Sequence, residues 1–278
     1  MTARRIVSLV PSLTEAVCAL GARDRLVGRT AWCVSPDGLD AVPLVGGTKD
    51  ASVDAIVALA PDLVLINREE NTRGAYEALL RLGIAVHVSF PTTVAEALSL
   101  MSELADLVDA GAVGRDAVRR AEDAAAAMQA MLARTTPVRV FCPIWHDPLK
   151  TIRGDTFISD VLSLCGGENV FAGRSRRFPL SADLYGAPEL PAAETADRDL
   201  RYPRVSLAEV VSAQPEVVLL PDEPHPFSED EARAFEALDI PAARNGRVLR
   251  VDGRALSWYS PRIADALPAV RGWLHPAG

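Results

Sequence analysis

The sequence predicts an α/β protein of two lobes, each with a mostly parallel sheet, bridged by a long rigid helix. Two observations carry this prediction. The first is an internal repeat: residues 56–66 (IVALAPDLVLI) and 210–220 (VVSAQPEVVLL) each show a helix end, a proline, an acidic residue and a buried-strand run, with Pro61 and Pro215 154 positions apart. The second is that apolar runs of four to six residues alternate with helical patterns, which is typical of parallel strands joined by helical crossovers.

A second pair of matching segments supports the duplication. Residues 13–28 and 158–173 each run from a helix into a glycine-closed turn and a short apolar segment. We therefore expect an N-terminal lobe over residues 1–92, a linking helical segment over 93–134, and a C-terminal lobe over 135–278 that carries an inserted loop at 174–202.

The individual elements follow from local patterns. The linking segment is alanine-rich and helix-periodic, and its second part, from 112 to 134, predicts a stiff connector with a bend available at Gly111 and Gly114. Residues 174–202 lack a clean period and predict a long surface loop, with a flap over the ligand as one role. Short apolar runs predict strands at residues 6–9, 25–30, 63–67, 85–89, 138–143, 217–221 and 248–251.

Composition excludes several classes of function. The 278 residues are 49% apolar and 24% charged, which is typical of a globular protein. The net charge of −8, without a dense basic cluster, argues against nucleic acid as a partner. No apolar run approaches the roughly 20 residues that a membrane span needs, so membrane insertion is not expected.

The chain start and the cysteines bear on location. The start has no apolar signal region, which predicts a cytoplasmic protein as the sequence is written, or a periplasmic or cell-surface one if a signal peptide has been removed. Cys18, Cys33, Cys142 and Cys165 are widely spaced and form no Cys-x-x-Cys pair, which predicts reduced thiols.

Aromatic and polar residues gather on the predicted strand-end loops, where ligands of parallel sheets bind. Three of the four tryptophans fall there, although aromatic residues make up only 5% of the chain. Rings on both lobes suit a large, flat, partly apolar ligand in the cleft between them. The candidate ligand-binding residues are Trp32, Cys33, Thr48, Lys49, Glu70, Trp145, His146, Phe227, Trp258, Tyr259 and Arg262.

Each candidate has a simpler alternative. The tryptophans would equally cap the sheet ends as core residues, and Cys33 would be a small buried filler. His146 is either a metal ligand or a hydrogen-bonded loop residue. An enzyme is a further hypothesis, with Cys33 as nucleophile, His146 as base and Glu70 as the group that orients it. Glycine-rich phosphate-binding motifs are absent from the sequence.

Four parts of the chain carry a resemblance to a known family: residues 7–15 (VSLVPSLTE), 47–49 with 53–67 (VDAIVALAPDLVLIN), 157–171 (FISDVLSLCGGENVF) and 260–263 (SPRI). Together they resemble the class III, helical-backbone substrate-binding proteins of ABC importers. The resemblance is greatest to the cobalamin-binding branch, whose relatives bind haem or ferric siderophores, and it covers the chain apart from residues 174–202. It implies two Rossmann-like lobes that hold a cobalamin-like corrinoid or another metal chelate without catalysis and without a catalytic cofactor. Haem, a ferric siderophore, an intracellular corrinoid carrier or sensor, and a chelate-processing enzyme are the alternatives.

The resemblance also implies roles for single residues. Trp258 and Arg262, within WYSPRI, match an aromatic and an arginine near the corrin, and Trp32 lies near a first-lobe aromatic contact. The aromatic expected after the first-lobe glycine turn is replaced here by Thr48 and Lys49.

Docking on an ABC permease is also implied, since members of this family use one acid on each lobe. Asp54 matches the first position, whereas the repeat position is Ala208, with Glu209 one residue away. A family cysteine that is disulfide-bonded in exported relatives matches Cys165, but residues 264–273 supply no partner. A permease partner that contacts Asp54 and Glu209 is thus a hypothesis.

Overall fold

The computed structural model describes residues 2–276, which divide into two compact units. Unit 1 contains residues 2–124 and the later segment Trp258–Ala264, and unit 2 contains Ala125–Ser257 and residues 265–276. The chain therefore passes from one unit to the other three times. The sequence predicts that residues 258–264 belong to the C-terminal lobe, whereas they pack with unit 1. The lobe boundaries expected from the sequence otherwise stay a prediction.

Unit 1 is built on a four-stranded parallel sheet in the order β2-β1-β3-β4. All strands point the same way, so their carboxyl ends share one edge. Its elements are β1 (Ile6–Ser8), α1 (Pro11–Ala19), β2 (Leu26–Arg29), α2 (Val53–Ala58), β3 (Leu63–Asn67), α3 (Arg73–Arg81), β4 (Val86–Ser89) and α4 (Val94–Leu107).

The sheet of unit 1 forms around two central strands, β1 and β3, whose residues are mostly apolar and buried. Strand β3 is buried along its whole length, as expected for a parallel strand covered by helices. Val7, Val64 and Ile66 pack against Ile56 of α2 and Leu79 of α3. Serine or threonine side chains cap α2, α3 and α4 by accepting a backbone N–H of the first turn.

The linking helix α5 (Ala112–Leu132) has 21 residues and is about 31 Å long at the usual rise. The boundary between the two units falls inside it, between Ala124 and Ala125. In unit 1, a Cβ added at Gly114 would lie 2.5 Å from the carbonyl oxygen of Leu20. Glycine at 114 is therefore needed for close approach to the end of α1, and not for a bend.

Unit 2 repeats the topology of unit 1. Its parallel sheet has the order β10-β9-β5-β8. Written in reverse, this is β8-β5-β9-β10, in which each strand takes the place of its counterpart in the unit 1 order β2-β1-β3-β4. The elements are β5 (Val138–Phe141), β6 (Pro143–Trp145), β7 (Lys150–Thr151), α6 (Phe157–Leu164), β8 (Gly167–Asn169), α7 (Leu180–Tyr185), α8 (Ala192–Thr195), α9 (Leu207–Ala213), β9 (Val217–Pro221), α10 (Glu229–Glu236), α11 (Pro241–Arg244), β10 (Val248–Val251) and α12 (Arg254–Ser257), with α13 (Ile263–Leu274) beginning in unit 1 and ending in unit 2.

The shared strand order confirms the predicted fold class of two α/β lobes with parallel sheets. All seven predicted strands are present, with ends that differ by at most two residues. The sequence missed β8 and the antiparallel pair β6–β7 because each is only two or three residues long. The predicted loop at 174–202 contains the short helices α7 and α8.

No helix in the described residues is both long and apolar enough to cross a membrane. All four cysteines are unpaired thiols. Burial raises the pKa of Cys18 to about 11 and those of Cys142 and Cys165 to about 12. These thiols therefore stay protonated at neutral pH.

Candidate ligand-binding site

Two asparagines organise the carboxyl ends of the strands in unit 1. The side-chain amide of Asn71 donates to the carbonyl oxygens of Leu9 (3.2 Å) and Thr48 (2.9 Å), and its own oxygen accepts the backbone N–H of Asn67 at 2.8 Å. Both asparagines are buried. They hold three strand-end loops together, a role that the sequence analysis missed because their partners lie far away in the chain.

The loops that follow β2 and precede α2 present one exposed ring. Trp32 is 67% exposed, and it lies near the turn at Gly46, whose φ of +105° requires glycine. The carbonyl oxygen of Gly46 accepts the backbone N–H of Ala31 at 2.9 Å, which fixes this turn to the loop that carries the ring. A free aromatic face thus lies at the strand ends, where the sequence predicted one.

Thr48 and Lys49 lie in the same turn, and both have internal partners. The carbonyl oxygen of Thr48 accepts from Asn71, as described above. The ammonium of Lys49 donates to the carbonyl oxygen of Glu69 at 2.6 Å. Their predicted contacts with a ligand stay predictions.

Cys33 lies inside unit 1 and not on its surface. It is fully buried, its Sγ is 3.1 Å from Oγ1 of Thr30, and burial raises the pKa of its thiol. A buried protonated thiol is neither an accessible ligand contact nor a ready nucleophile. The predicted roles of Cys33 as a binding residue or a nucleophile are therefore not supported by its position, and the simpler alternative of a small core residue fits.

The segment Trp258–Ala264 is bound to unit 1 by polar contacts across the sequence. The guanidinium of Arg262 forms a two-pronged ion pair with Glu15 of α1, and the hydroxyl of Ser260 donates to the same carboxylate at 2.7 Å. Trp258 and Tyr259 are both buried, at 8% and 5% exposure. The resemblance implies a position near a corrin for Arg262, but its guanidinium is already paired with the carboxylate of Glu15.

Tyr259 connects this segment to the loop after β3. Its hydroxyl donates to the carboxylate of Glu70 at 3.2 Å, although 189 positions separate the two residues. Burial, reinforced by the charge of Glu70, raises the pKa of the Tyr259 phenol well above its usual value. The phenol is a neutral donor, and Glu70 is its acceptor and not a free acid.

A continuous series of rings runs through unit 2 from its core to its surface. Phe141 lies 6.0 Å from Phe235, Phe235 is 6.3 Å from Phe227, and Phe227 is 4.8 Å from His225 (ring centroids). His225 is in turn 5.5 Å from Trp145, which is 40% exposed at the end of β6. Phe227 is itself buried, so its role is to support the exposed rings from below and not to line the surface as predicted.

His146 and His225 share one carboxylate in this ring series. The Glu231 oxygen lies 2.8 Å from Nε2 of His225 and 3.5 Å from Nδ1 of His146, and the two imidazoles are stacked at 6.0 Å. A hydrogen bond from the backbone N–H of Ser228 lowers the pKa of Glu231 to about 2, with help from His225 and against the effect of burial. The carboxylate is therefore ionised at neutral pH, and it orients both imidazoles.

Neither histidine is part of a multidentate metal centre. Within residues 2–276, no group of three or more His, Cys, Asp or Glu side chains is arranged to hold a metal ion. What His146 offers is a single nitrogen, since its Nδ1 faces Glu231 and its side chain is 42% exposed. One nitrogen suits an axial position on a metal that a macrocycle already holds in its plane.

The two predicted docking acids differ in availability. Asp54 is exposed in the first turn of α2. Glu209 completes the capping box of α9 with Ser206 and pairs with Arg174 at 3.2 Å. Its carboxylate is thus occupied inside unit 2, and only Asp54 has the exposed position that docking requires.

A cavity of about 370 Å³ lies in unit 1 between β4 and α4, away from the predicted residues. It is lined by His87, Ser89, Glu96 and Glu103 among others. The imidazole Nε2 of His87 is 3.4 Å from Glu103. None of the exposed rings contributes to its wall, so it is separate from the candidate site.

Two units with the same strand order, each with a ring exposed at its strand ends, define a two-lobed α/β ligand-binding protein. A sequence profile of the family described as periplasmic binding protein matches residues 6–255. The chain belongs to this family.

Relatives and solved structures agree with this assignment. The vitamin B12-binding protein of Yersinia pestis (strain Pestoides F) is 30% identical over 218 residues, which cover 78% of this chain and 69% of the relative. The vitamin B12-binding protein of Vibrio parahaemolyticus is 27% identical over 266 residues, 96% of this chain and 87% of the relative.

Among solved structures, the periplasmic vitamin B12 binding protein BtuF of Vibrio cholerae has a TM-score of 0.78 at 25% identity and covers 98% of this chain and 96% of its own. The periplasmic heme-binding protein BhuT, in complex with two hemes, has a TM-score of 0.73 at 22% identity over 99% and 98% of the two chains, and shares the fold.

Proposed function

We propose that this protein binds a metal chelate without changing it chemically, and that the chelate is a cobalamin-like corrinoid. The observation that carries the proposal is the ring series of unit 2, which ends at the exposed Trp145, together with the exposed Trp32 of unit 1. An aromatic face supported from below by other rings suits a broad, flat, partly apolar ligand. The names of the relatives at 27–30% identity support the choice of a corrinoid.

His146 is the proposed contact to the metal of the chelate. Glu231 lies 3.5 Å from its Nδ1, and a carboxylate on that side fixes the ring so that the opposite nitrogen is the one that faces a metal. A corrinoid whose axial water exchanges would accept this nitrogen.

Haem and ferric siderophores are the second candidate ligands. An imidazole oriented by a carboxylate would bind haem iron equally well, and this observation keeps haem as an alternative. Catalysis has less support, because the only proposed nucleophile, Cys33, is buried and protonated.

We also infer that the protein acts outside the cytoplasm and passes its ligand to an ABC permease, as membership of the periplasmic binding protein family suggests. The exposed Asp54 is the proposed docking acid. Loss of permease-dependent uptake in Asp54→Ala, with ligand affinity unchanged, would support docking through this residue. Unchanged uptake would argue against it.

Binding is tested directly with the purified chain and four probes: cyanocobalamin, aquocobalamin, dicyanocobinamide and hemin. Calorimetry and absorbance spectra measure affinity. We expect a Kd below about 100 µM, equivalent to about −5.5 kcal/mol, for at least one corrinoid. Tighter binding of hemin than of every corrinoid would change the ligand to haem, and binding of none of the probes would overturn the proposal.

Ring contacts are tested by Trp145→Ala and Trp32→Ala, with Tyr185→Ala as the control. Tyr185 is 78% exposed and lies outside the strand-end loops. We expect each tryptophan variant to bind about tenfold more weakly, since a stacked ring contributes about 1.5 kcal/mol beyond its buried area, and the control to bind like the wild type. Equal affinities for all three variants would contradict the ring contacts.

Axial coordination is tested with aquocobalamin, whose exchangeable water gives an absorbance shift when a nitrogen replaces it. We expect the wild type and His225→Gln to show this shift and His146→Gln to lose it while retaining part of its affinity. A shift that disappears in His225→Gln, and persists in His146→Gln, would assign the contact to the other imidazole.

A further inference from the structure

Four cationic side chains contact two rings of unit 2, the exposed Trp145 and Phe178. The Lys150 ammonium lies 5.5 Å from the centroid of the Trp145 ring. Three guanidinium carbons surround the ring of Phe178, at 4.5 Å for Arg176, 4.7 Å for Arg198 and 5.8 Å for Arg204. Such a concentration is unexpected in a chain with a net charge of −8.

Backbone pairing explains why these residues meet. The chain at 201–205 returns antiparallel to 149–153, so that Lys150 stands opposite Arg204, and the backbone N–H of Arg153 donates to the carbonyl oxygen of Arg201 at 2.8 Å. The backbone N–H of Arg176 donates to the carbonyl oxygen of Leu200 at 2.9 Å. Residues from both ends of the segment at 174–204 are thus held next to β7.

Nearby acids are already paired with other cations. The buried carboxylate of Asp183 binds Arg174 at 3.0 Å and Arg204 at 2.7 Å. Asp199 binds Arg201 at 2.6 Å. Within the described residues, only Arg204 of the four cations has a carboxylate partner, and the other three have none.

Of these three, Arg198 donates from Nε to the carbonyl oxygen of Glu194 at 3.2 Å, and the other two are Lys150 and Arg176. Neither forms an ion pair with a carboxylate within the part of the chain that the structure describes, and Nε of Arg176 is buried without a hydrogen-bond partner. Burial is the main cause that lowers the pKa of both groups. The charges of Arg176 and Arg204 add to the lowering at Lys150, and those of Arg204 and Arg198 add to it at Arg176, against the opposite effect of Asp183 and Asp199. Crowded cations with an unused donor are relieved by an anion.

We propose that Lys150 and Arg176 bind an anionic oxygen group of the chelate, a carboxylate or a phosphodiester, when the flat face of that chelate lies on Trp145. This deepens the proposed function and rests on it, because the ring supplies the position from which the anionic substituent reaches the two cations. Lys150 supplies a point charge, and Arg176 supplies the free N–H donor of its guanidinium.

The test compares Lys150→Gln and Arg176→Gln with Arg250→Gln, a half-exposed arginine of β10 in the same unit. Two pairs of probes differ in the anionic group: hemin against hemin dimethyl ester, which lacks free carboxylates, and cyanocobalamin against dicyanocobinamide, which lacks the phosphodiester. Affinity is measured at low and high salt, because a solvent-accessible charge contact weakens with ionic strength.

We expect Lys150→Gln and Arg176→Gln each to bind the acidic member of one pair about tenfold more weakly, and its uncharged member less than twofold more weakly. An effect in the porphyrin pair would identify a carboxylate, and one in the corrinoid pair a phosphodiester. Arg250→Gln should match the wild type throughout. The melting temperature of Lys150→Gln should equal or exceed that of the wild type, since one repelling cation is removed.

Equal weakening for both members of each pair, or no weakening in either variant while the wild type binds a probe, would overturn this inference and leave the proposed function intact. Failure of the wild type to bind any of the probes would overturn the proposed function itself.

Discussion

Replacing Asp183 by Asn removes the charge at the centre of the polar network that holds residues 174–204. The carboxylate is fully buried, and it accepts from Arg174 Nη1 (3.0 Å), Arg204 Nε (2.7 Å) and the backbone N–H groups of Arg177 (3.0 Å) and Arg204 (3.1 Å). An asparagine keeps one acceptor oxygen and turns an NH₂ group toward two donors. Because breaking a buried ion pair costs 3–5 kcal/mol, we expect the free energy of unfolding to fall by about 3 kcal/mol.

The assay is urea unfolding followed by circular dichroism, with thermal melting as a second measure. A loss of about 3 kcal/mol corresponds to a melting temperature lower by about 6–12 °C for a unit of this size. Asp199→Asn is the matched control, since Asp199 also pairs with an arginine but its side chain is 42% exposed, and we expect a loss below about 1 kcal/mol. Equal losses in the two variants would refute the reasoning.

The stability provided by Asp183 also depends on pH. Burial raises the pKa of this carboxyl, but hydrogen bonds from the backbone N–H of Arg177 and from Arg204 outweigh it and lower the pKa below its usual value. A carboxyl with a lowered pKa in the folded state stabilises fully above its unfolded pKa, and loses this contribution as pH falls through the folded pKa. The difference between wild type and Asp183→Asn should therefore be constant from pH 7 to about 5 and shrink below about pH 4.

Two further substitutions test close contacts in unit 1 by their urea midpoints. Gly114→Ala should lower the free energy of unfolding by at least about 1 kcal/mol, because its Cβ would lie 2.5 Å from the carbonyl oxygen of Leu20. Gly74→Ala has no atom within 4 Å of the new Cβ, and it should raise the free energy of unfolding by about 0.5–1 kcal/mol through helix propensity. A loss of equal size in both would contradict the steric argument. Arg262→Gln should destabilise unit 1 by about 2 kcal/mol, since it leaves the largely buried Glu15 without its cation, and a midpoint within 0.3 kcal/mol of wild type would show that the pair is energetically neutral.

The local sequence pattern was sufficient to predict every strand of the two parallel sheets except β8. The two proline-preceded runs predicted β3 and β9 at the right residues, because a parallel strand buried on both faces must be apolar throughout. The equal strand order in both units follows from the same repeat. The pairing of residues 201–205 with 149–153 was not predicted, since the partners are about 50 positions apart and neither segment has a strand-like apolar run.

For the candidate site, residue type and spacing predicted which residues follow the strands, but not the exposure of each side chain, and their contacts with a ligand stay a prediction. Trp32 and Trp145 are exposed as expected, whereas Cys33 and Phe227 lie in the interior. Hydrophobic side chains at a strand end pack inward or outward according to the loops above them. That choice depends on contacts such as those of Asn71, which no local pattern records.

The sequence by itself determined the duplicated α/β architecture, the long helix and the placement of rings at strand ends, because these follow from hydrophobic periodicity within a dozen residues. The tertiary structure alone decided which polar and charged groups already have a partner inside the protein. Arg262 is paired with Glu15, and Tyr259 is hydrogen-bonded to Glu70. Arg204 is paired with Asp183, and all three contacts join distant parts of the chain. A charge is available to a ligand only when no closer partner neutralises it, and that depends on distances which only the folded chain defines.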